Sequence, residues 1–218
     1  RKAEVAQRLF EGYCGYVQTD GYEGYSALDH IDGITLVGDW VHVRRKFHDV
    51  TKASDKSEKA LLASFALGKI AEIYAVEDEA KEKAPDEILR LRQEKARSIV
   101  DELKKWADEQ RDRVPPKSLI GKAIQYFLGQ WPKLCYFLDD PVVGPDTNIV
   151  ENVIRPFAIG RKNWMFSDTA RGADTSANLF SLVITAKSNG IDPYFYLKRV
   201  FSDLPRAITH EDVEKLLP

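Results

Sequence analysis

The sequence predicts an α/β chain: a strand, a turn, a short helix and a second strand, followed by a long helical stretch and a helical return. Three observations carry this reading. Residues 13–19 favour β structure and stop at Asp20-Gly21, a dipeptide that turns the chain sharply. Residues 34–38 (ITLVG) are almost wholly apolar, the pattern of a strand covered on both faces. From Trp40 onward the apolar residues recur at helical spacing for roughly a hundred residues.

Residues 2–11 place Ala3, Ala6, Leu9 and Phe10 on one helical face, with Gly12 as the stop. A short helix is expected over 22–30, between the two strands. Beyond Trp40, one apolar stripe runs through Leu62, Phe65, Ala66, Ile70, Ile73 and Tyr74. A second runs through Leu89, Ala96, Ile99, Val100, Leu103 and Trp106. The charges between them alternate in sign, as on a solvated helix face. Val114-Pro115-Pro116 breaks the hairpin, and helices are expected over 119–128 and 131–138. The Pro-, Gly- and Asp-rich segment 139–148 reads as a loop. Asn148 is positioned to cap a short helix that carries Glu151 and ends at Arg155-Pro156. An amphipathic helix follows over 173–188 with Gly190 as its stop, and Asp192-Pro193 opens another through Phe201.

With 44% hydrophobic residues in 218, the chain buries a real core, and its 30% charged residues nearly cancel to a net charge of -2. That balance excludes a bulk polycation, so contact with nucleic acid must come from local patches. Cys14 and Cys135 have no paired spacing and the four histidines lack zinc-ligand spacing. No apolar run reaches the ~18 residues of a membrane span and no signal peptide is evident, so a cytoplasmic protein without membrane contact is expected.

Two carboxylates stand out. Asp20 lies at the C-terminal end of a strand, where α/β sheets put their ligands, although an Asp-Gly corner commonly satisfies only its own turn. Glu151 lies on a later helix with Arg155 four residues on, and an ordinary surface ion pair explains it equally well. Phosphodiester chemistry uses acidic side chains on separate elements that converge on hard cations ~3.5–4 Å apart. Two basic stretches adjoin these elements. His42, Arg44, Arg45 and Lys46 follow the second strand, and Arg161, Lys162 and Trp164 follow the glutamate helix. Both mix phosphate-binding cations with tryptophan.

Four ordered motifs carry a resemblance. Residues 17–25 (VQTDGYEGY) resemble the LQTDGYxGY signature of insertion sequence 66 family transposases, and residues 40–47 (WVHVRRKF) their WxHxRRKF segment. Residues 148–164 are similar to the family's NxxExxIRPxxxGRKNW block, and residues 186–193 (AKSNGIDP) to its AKxNGxDP stretch. The resemblance implies a partial ribonuclease H-like fold with a large all-helical insertion and a DDE triad. It divides the chain into a partial catalytic core at 1–54, the insertion at 55–140, and a return to the core at 141–218. Asp20 becomes the second aspartate and Glu151 the glutamate, holding Mg²⁺ with Mn²⁺ as substitute. His42, Arg44, Arg45, Lys46, Arg155, Arg161, Lys162 and Trp164 become contacts to double-stranded DNA, both transposon ends and target. A homo-oligomer on DNA in the bacterial nucleoid is implied as well.

The chain departs from the pattern at Asn152, where the family commonly has arginine, and at Asp39, where cysteine is expected. Residues 1–19 offer no aspartate, so the first triad member is expected upstream of residue 1 and the isolated piece is expected to be inactive. Two rival readings are a nuclease of the same fold that cuts without joining, and a non-catalytic DNA-binding or oligomerisation remnant.

Overall fold

The computed structural model describes residues 3–53, 58–164 and 167–218, with the side chains of Ile149, Arg161 and Trp164 outside that description. The chain divides into two compact units, Arg1–Asn148 and Ile149–Pro218. The first opens with α1 (Ala3–Leu9), β1 (Gly15–Gln18), a 3-10 helix (Glu23–His30) and β2 (Ile34–Val37). The two strands are parallel, with Gly15 opposite Ile34 and Gln18 opposite Val37. The crossover is the expected helix over 22–30, in tighter 3-10 form. It is short and includes Gly24 and Ser26, weak helix formers that do not propagate an α-helix. Leu28, fully buried, plugs it onto Ala6, Val17, Ile34 and Leu36.

The rest of the unit is helical: α2 (Trp40–Ala53), α3 (Glu58–Ala80), α4 (Pro85–Leu91), a π-helical turn (Arg92–Ala96), α5 (Arg97–Arg111), α6 (Leu119–Leu134) and α7 (Tyr136–Asp139). α2 packs on α3 and α6, and α5 on the same two helices. Both expected stripes face this core, since Ala66, Ile70, Ile73, Ala96, Val100 and Leu103 are inaccessible. Trp40 is fully buried against the rings of Phe127 and Phe137, with centroids 5.9 and 6.2 Å away. The helices expected over 119–128 and 131–138 are divided elsewhere, because α6 runs through Gly129 and Pro132 to Leu134. Proline inside a helix costs ~3 kcal/mol. Continuing the helix carries Leu134 into the core in line with Phe127, and each such burial contributes ~1.5–3 kcal/mol.

One pair of charges in the alternating pattern is not solvated. Arg92, 4% exposed, makes a two-pronged contact with Glu77 at 2.8 and 2.7 Å. Its remaining terminal nitrogen donates to the carbonyls of Phe137, Asp140 and Val143 at 2.7, 3.0 and 3.0 Å. The guanidinium thus fastens the start of the 139–148 loop to α3. Farther along that loop, Gln18 Nε2 donates to Gly38 and Gly144 carbonyls, Trp40 N–H to Pro145 O, and the Tyr74 hydroxyl to Asp146 Oδ2 at 2.8 Å. Burial, and then the bond to the Asp146 carboxylate, push the Tyr74 phenol well above its ordinary pKa.

The second unit holds α8 (Asn148–Trp164, beginning at the last residue of the first unit), α9 (Ala170–Ser188), α10 (Pro193–Asp203), a 3-10 turn (Leu204–Arg206) and α11 (His210–Glu214). The helix carrying Glu151 does not end at Arg155-Pro156 but continues to Trp164 with Pro156 inside it. The proline removes the donor for the Asn152 carbonyl, and Asn152 is exposed, so water can serve it. The turn beyond brings Phe157 edge-on to Phe180 of α9 at 5.1 Å. Asn148 opens α8 with its N–H and side-chain amide donated to Asp146. Gly190, at φ +73°, ends α9 with paired bonds from Ile191 N–H to Ala186 O and from Gly190 N–H to Lys187 O. Asp192 caps α10 through Tyr194 and Phe195 N–H, and the buried Tyr196 donates to Leu216 O.

Replacing Arg92 by methionine leaves three carbonyls and Glu77 without their donor. The expected loss is about 3–5 kcal/mol, read from urea denaturation midpoints of the full-length protein. The Tyr74 phenol gives the fold an alkaline limit. Because it ionises at a higher pH when folded than the ~10 of an unfolded tyrosine, its contribution is complete below that pH and is lost as pH rises beyond it. Denaturation midpoints should fall above about pH 10 in the parent and fall less steeply in Tyr74→Phe.

Candidate active site

Asp20 stands one residue past the last ladder bond of β1, in which Thr19 N–H donates to Val37 O at 2.9 Å. It is exposed, and its Oδ1 accepts the Tyr22 N–H at 3.0 Å, the turn bond of an Asp-Gly corner. Gly21 takes φ +73°, and a Cβ there would lie 2.9 Å from the Gln130 side-chain carbon and 3.0 Å from the Tyr126 hydroxyl. Backbone and neighbours both demand glycine. The Tyr126 hydroxyl in turn donates to the Asp20 carbonyl at 2.7 Å. A cleft of about 400 Å³ opens beside the turn, lined by Val5, Ala6, Leu9, Asp20, Tyr22 and Tyr25.

The WxHxRRKF segment forms the first turns of α2. Trp40, Val43, Phe47 and Val50 face the core, which leaves Arg44, Arg45 and Lys46 exposed. Lys46 Nζ stands 5.4 Å from the centroid of the Tyr126 ring. Arg45 lies 3.3 Å from His42 Nε2, and His42 Nδ1 lies 2.9 Å from Asp39 Oδ2. Arginine only donates, so this pattern fits the tautomer that carries its proton on Nδ1 toward Asp39. His42, half-buried, is therefore a bridge between Asp39 and Arg45 as well as a member of the basic segment.

Asp39 is 2% exposed. Its Oδ1 accepts the Val41 N–H at 2.7 Å, and its Oδ2 accepts the Thr147 hydroxyl at 2.5 Å as well as facing His42. It caps α2 and ties that helix to the end of the 139–148 loop. Gly38-Asp39-Trp40 has the form of a helix N-cap, a signal that was available in the sequence. Tyr126 gave no such signal, because it falls inside a long helical run. Burial first, and then the charges of Asp20 and Asp39, hold its phenol up to about 12.

In the second unit Glu151 is half-buried in the first turn of α8, where the helix N-terminus favours a negative charge. Arg155 and Lys162 are exposed on the same helix, while the side chains of Arg161 and Trp164 lie outside the described residues. The first unit thus brings Asp20 and Lys46 to Tyr126, with His42 joined to Arg45 on the same helix as Lys46, and the second carries Glu151, Arg155 and Lys162 on one helix. Among the described residues, no three His, Cys, Asp or Glu side chains form a group able to hold a metal ion. No helix among them is long and apolar enough to cross a membrane.

Comparison with known proteins gives consistent matches along the chain. The family described as Transposase IS66 family matches residues 1–175, and the IS66 C-terminal element matches residues 181–218. The uncharacterized proteins y4qI and y4jD of Sinorhizobium fredii are each 33% identical to it over 100% of this chain, covering 41% and 43% of their own lengths. A third, y4hP of the same organism, is 29% identical over 93% of the chain and 39% of its own length. The chain therefore spans about two fifths of the length of the curated relatives it matches. No solved structure matches it. On the two family matches, which follow one another in order and leave only residues 176–180 between them, the chain belongs to the Transposase IS66 family.

Proposed function

We propose that this chain is part of the catalytic domain of a DDE-type DNA transposase with a ribonuclease H-like core, in which Asp20 and Glu151 are metal ligands. The observation that carries the reading is the setting of Asp20: an exposed carboxylate at a strand end, on a turn hydrogen-bonded to Tyr126, whose ring lies against a lysine of the basic α2 face. Asp20 suits a hard cation, since it offers carboxylate oxygen at an accessible site with Oδ1 engaged only by a turn N–H. Asp39 does not, because it is buried with both oxygens engaged. Glu151 is the second ligand in this reading, and a third carboxylate comes from outside residues 1–218. The insertion at 55–140 separates the two in sequence.

Bound Mg²⁺, or Mn²⁺ in its place, would supply charge neutralisation for phosphoryl transfer. The chain's own residues hold and orient. Arg44, Arg45 and Lys46 present positive charge to a phosphate backbone, and Arg155, Arg161, Lys162 and Trp164 are the DNA contacts of the glutamate helix in this reading. The substrate is double-stranded DNA at the transposon ends and then the target. The reaction is cleavage to a 3′-hydroxyl followed by attack of that hydroxyl on target DNA, with a homo-oligomer holding the paired ends.

Asp20→Asn in the full-length protein keeps an oxygen to accept the Tyr22 N–H, so folding should persist while cleavage and strand transfer fall by ~10³-fold or more. Chelation of Mg²⁺ should silence the parent equally, and retained joining in either case refutes the assignment. Nicked DNA without joined product identifies a simple nuclease instead. DNA affinity unchanged by Asp20→Asn together with no metal dependence identifies a non-catalytic module. Replacing Arg44 and Arg45 by alanine should weaken binding across DNA sequences and reduce the slope of log affinity against log salt by about two.

A further inference from the structure

The helical insertion contributes a residue to the turn that carries the metal-ligand candidate. We propose that Tyr126 of α6 is a positioning residue for Asp20, fixing the direction of its carboxylate through the main chain, an inference that rests on the metal-ligand reading of Asp20. Two bonds bracket this aspartate. The Tyr126 hydroxyl holds its carbonyl at 2.7 Å, and the Tyr22 N–H holds its Oδ1 at 3.0 Å. One constrains the backbone on the far side of the Cα and the other constrains the side chain, so the carboxylate leaves the strand end in a defined direction. Neither bond alone does this on an exposed corner that ends a four-residue strand.

The seat is built for close approach. Gly21 faces both Tyr126 and Gln130, one helical turn apart on α6, and its φ of +73° is one that a residue with a side chain adopts only with strain. Among the described residues the Gln130 Oε1 is buried without a hydrogen-bond partner, while its amide carbon and nitrogen lie toward Gly21. Lys46 of α2 lies over the Tyr126 ring, 5.4 Å from its centroid, a cation–π contact that adds to the packing of that ring. Three elements distant in sequence (the β1 corner, α2 and α6) meet at one tyrosine. Ligands held within a fraction of an ångström bind and react better than mobile ones, which is the use of such a support.

Tyr126→Phe tests this in the full-length protein, because it keeps the ring under Lys46 and removes only the donated bond. Four measurements apply: Mn²⁺ affinity by electron paramagnetic resonance, amide exchange over residues 19–22, kcat, and KM for transposon-end DNA. The expected result is about 3- to 10-fold weaker Mn²⁺ binding, a similar fall in kcat at limiting Mn²⁺, faster exchange over 19–22, and unchanged KM for DNA. Parent-like Mn²⁺ affinity and exchange in Tyr126→Phe, with both Mn²⁺ binding and turnover lost in Asp20→Asn, overturns the positioning role and leaves Asp20 as ligand. A rise in KM for DNA with Mn²⁺ affinity intact overturns it too, because Tyr126 then serves DNA. Full Mn²⁺ affinity and turnover in Asp20→Asn is a different failure, in which the metal-ligand reading falls and the inference with it.

Discussion

The first unit depends on a buried guanidinium. Arg92 spends two nitrogens on Glu77 and the third on three main-chain carbonyls at and just beyond the end of α7. A charge 4% exposed persists only when it is well hydrogen-bonded, and here each guanidinium nitrogen has an acceptor. The π-helical turn begins at Arg92, so α4 and α5 are one long helix with a widened turn where that side chain leaves it. The polar loop beyond α7 has little apolar surface with which to bind itself down. Its order comes from donors reaching it from elsewhere, Arg92, then Gln18, Trp40 and Tyr74, and from the Asp39 carboxylate, which accepts the Thr147 hydroxyl.

That loop and the basic helix are consequently parts of one network. Asp39 joins them, since the carboxylate that caps α2 also receives Thr147 and faces His42, which faces Arg45. A buried carboxylate of this kind fixes where the neighbouring cations are presented. The exposed carboxylate, Asp20, and the buried one, Asp39, thus have different physical roles although both adjoin strand ends, and burial is what separates them.

Much of this was legible in the residues. The two strands, the Asp-Gly corner, the apolar stripes of α3 and α5, and the caps at Asp192 and Gly190 follow from local chemistry that neighbours did not override. The break expected after Leu128 and the stop expected at Arg155-Pro156 both gave way, because apolar contacts beyond each one favour continuing the helix. Arg92 and Glu77 were indistinguishable from their solvated neighbours, since charge pattern reports a face and not which members turn inward. Tyr126 was invisible for a related reason: its importance lies in a bond to a carbonyl 106 positions away, and backbone acceptors leave no mark on a sequence.

The far end of α6 gives one more consequence. The carbonyls of Lys133 and Leu134, which a helix terminus ordinarily leaves to water, are taken by the Gly38 N–H and the Trp40 indole, and Leu134 would crowd a Cβ at Gly38. The helical excursion is therefore mortised into the strand end where it closes, not hung from it. Variation in chain length among descendants of this sequence should collect at tips such as residues 81–84, where Glu82 already adopts a positive φ, and should avoid the joint at 133–134, where one added residue would rotate every acceptor out of reach.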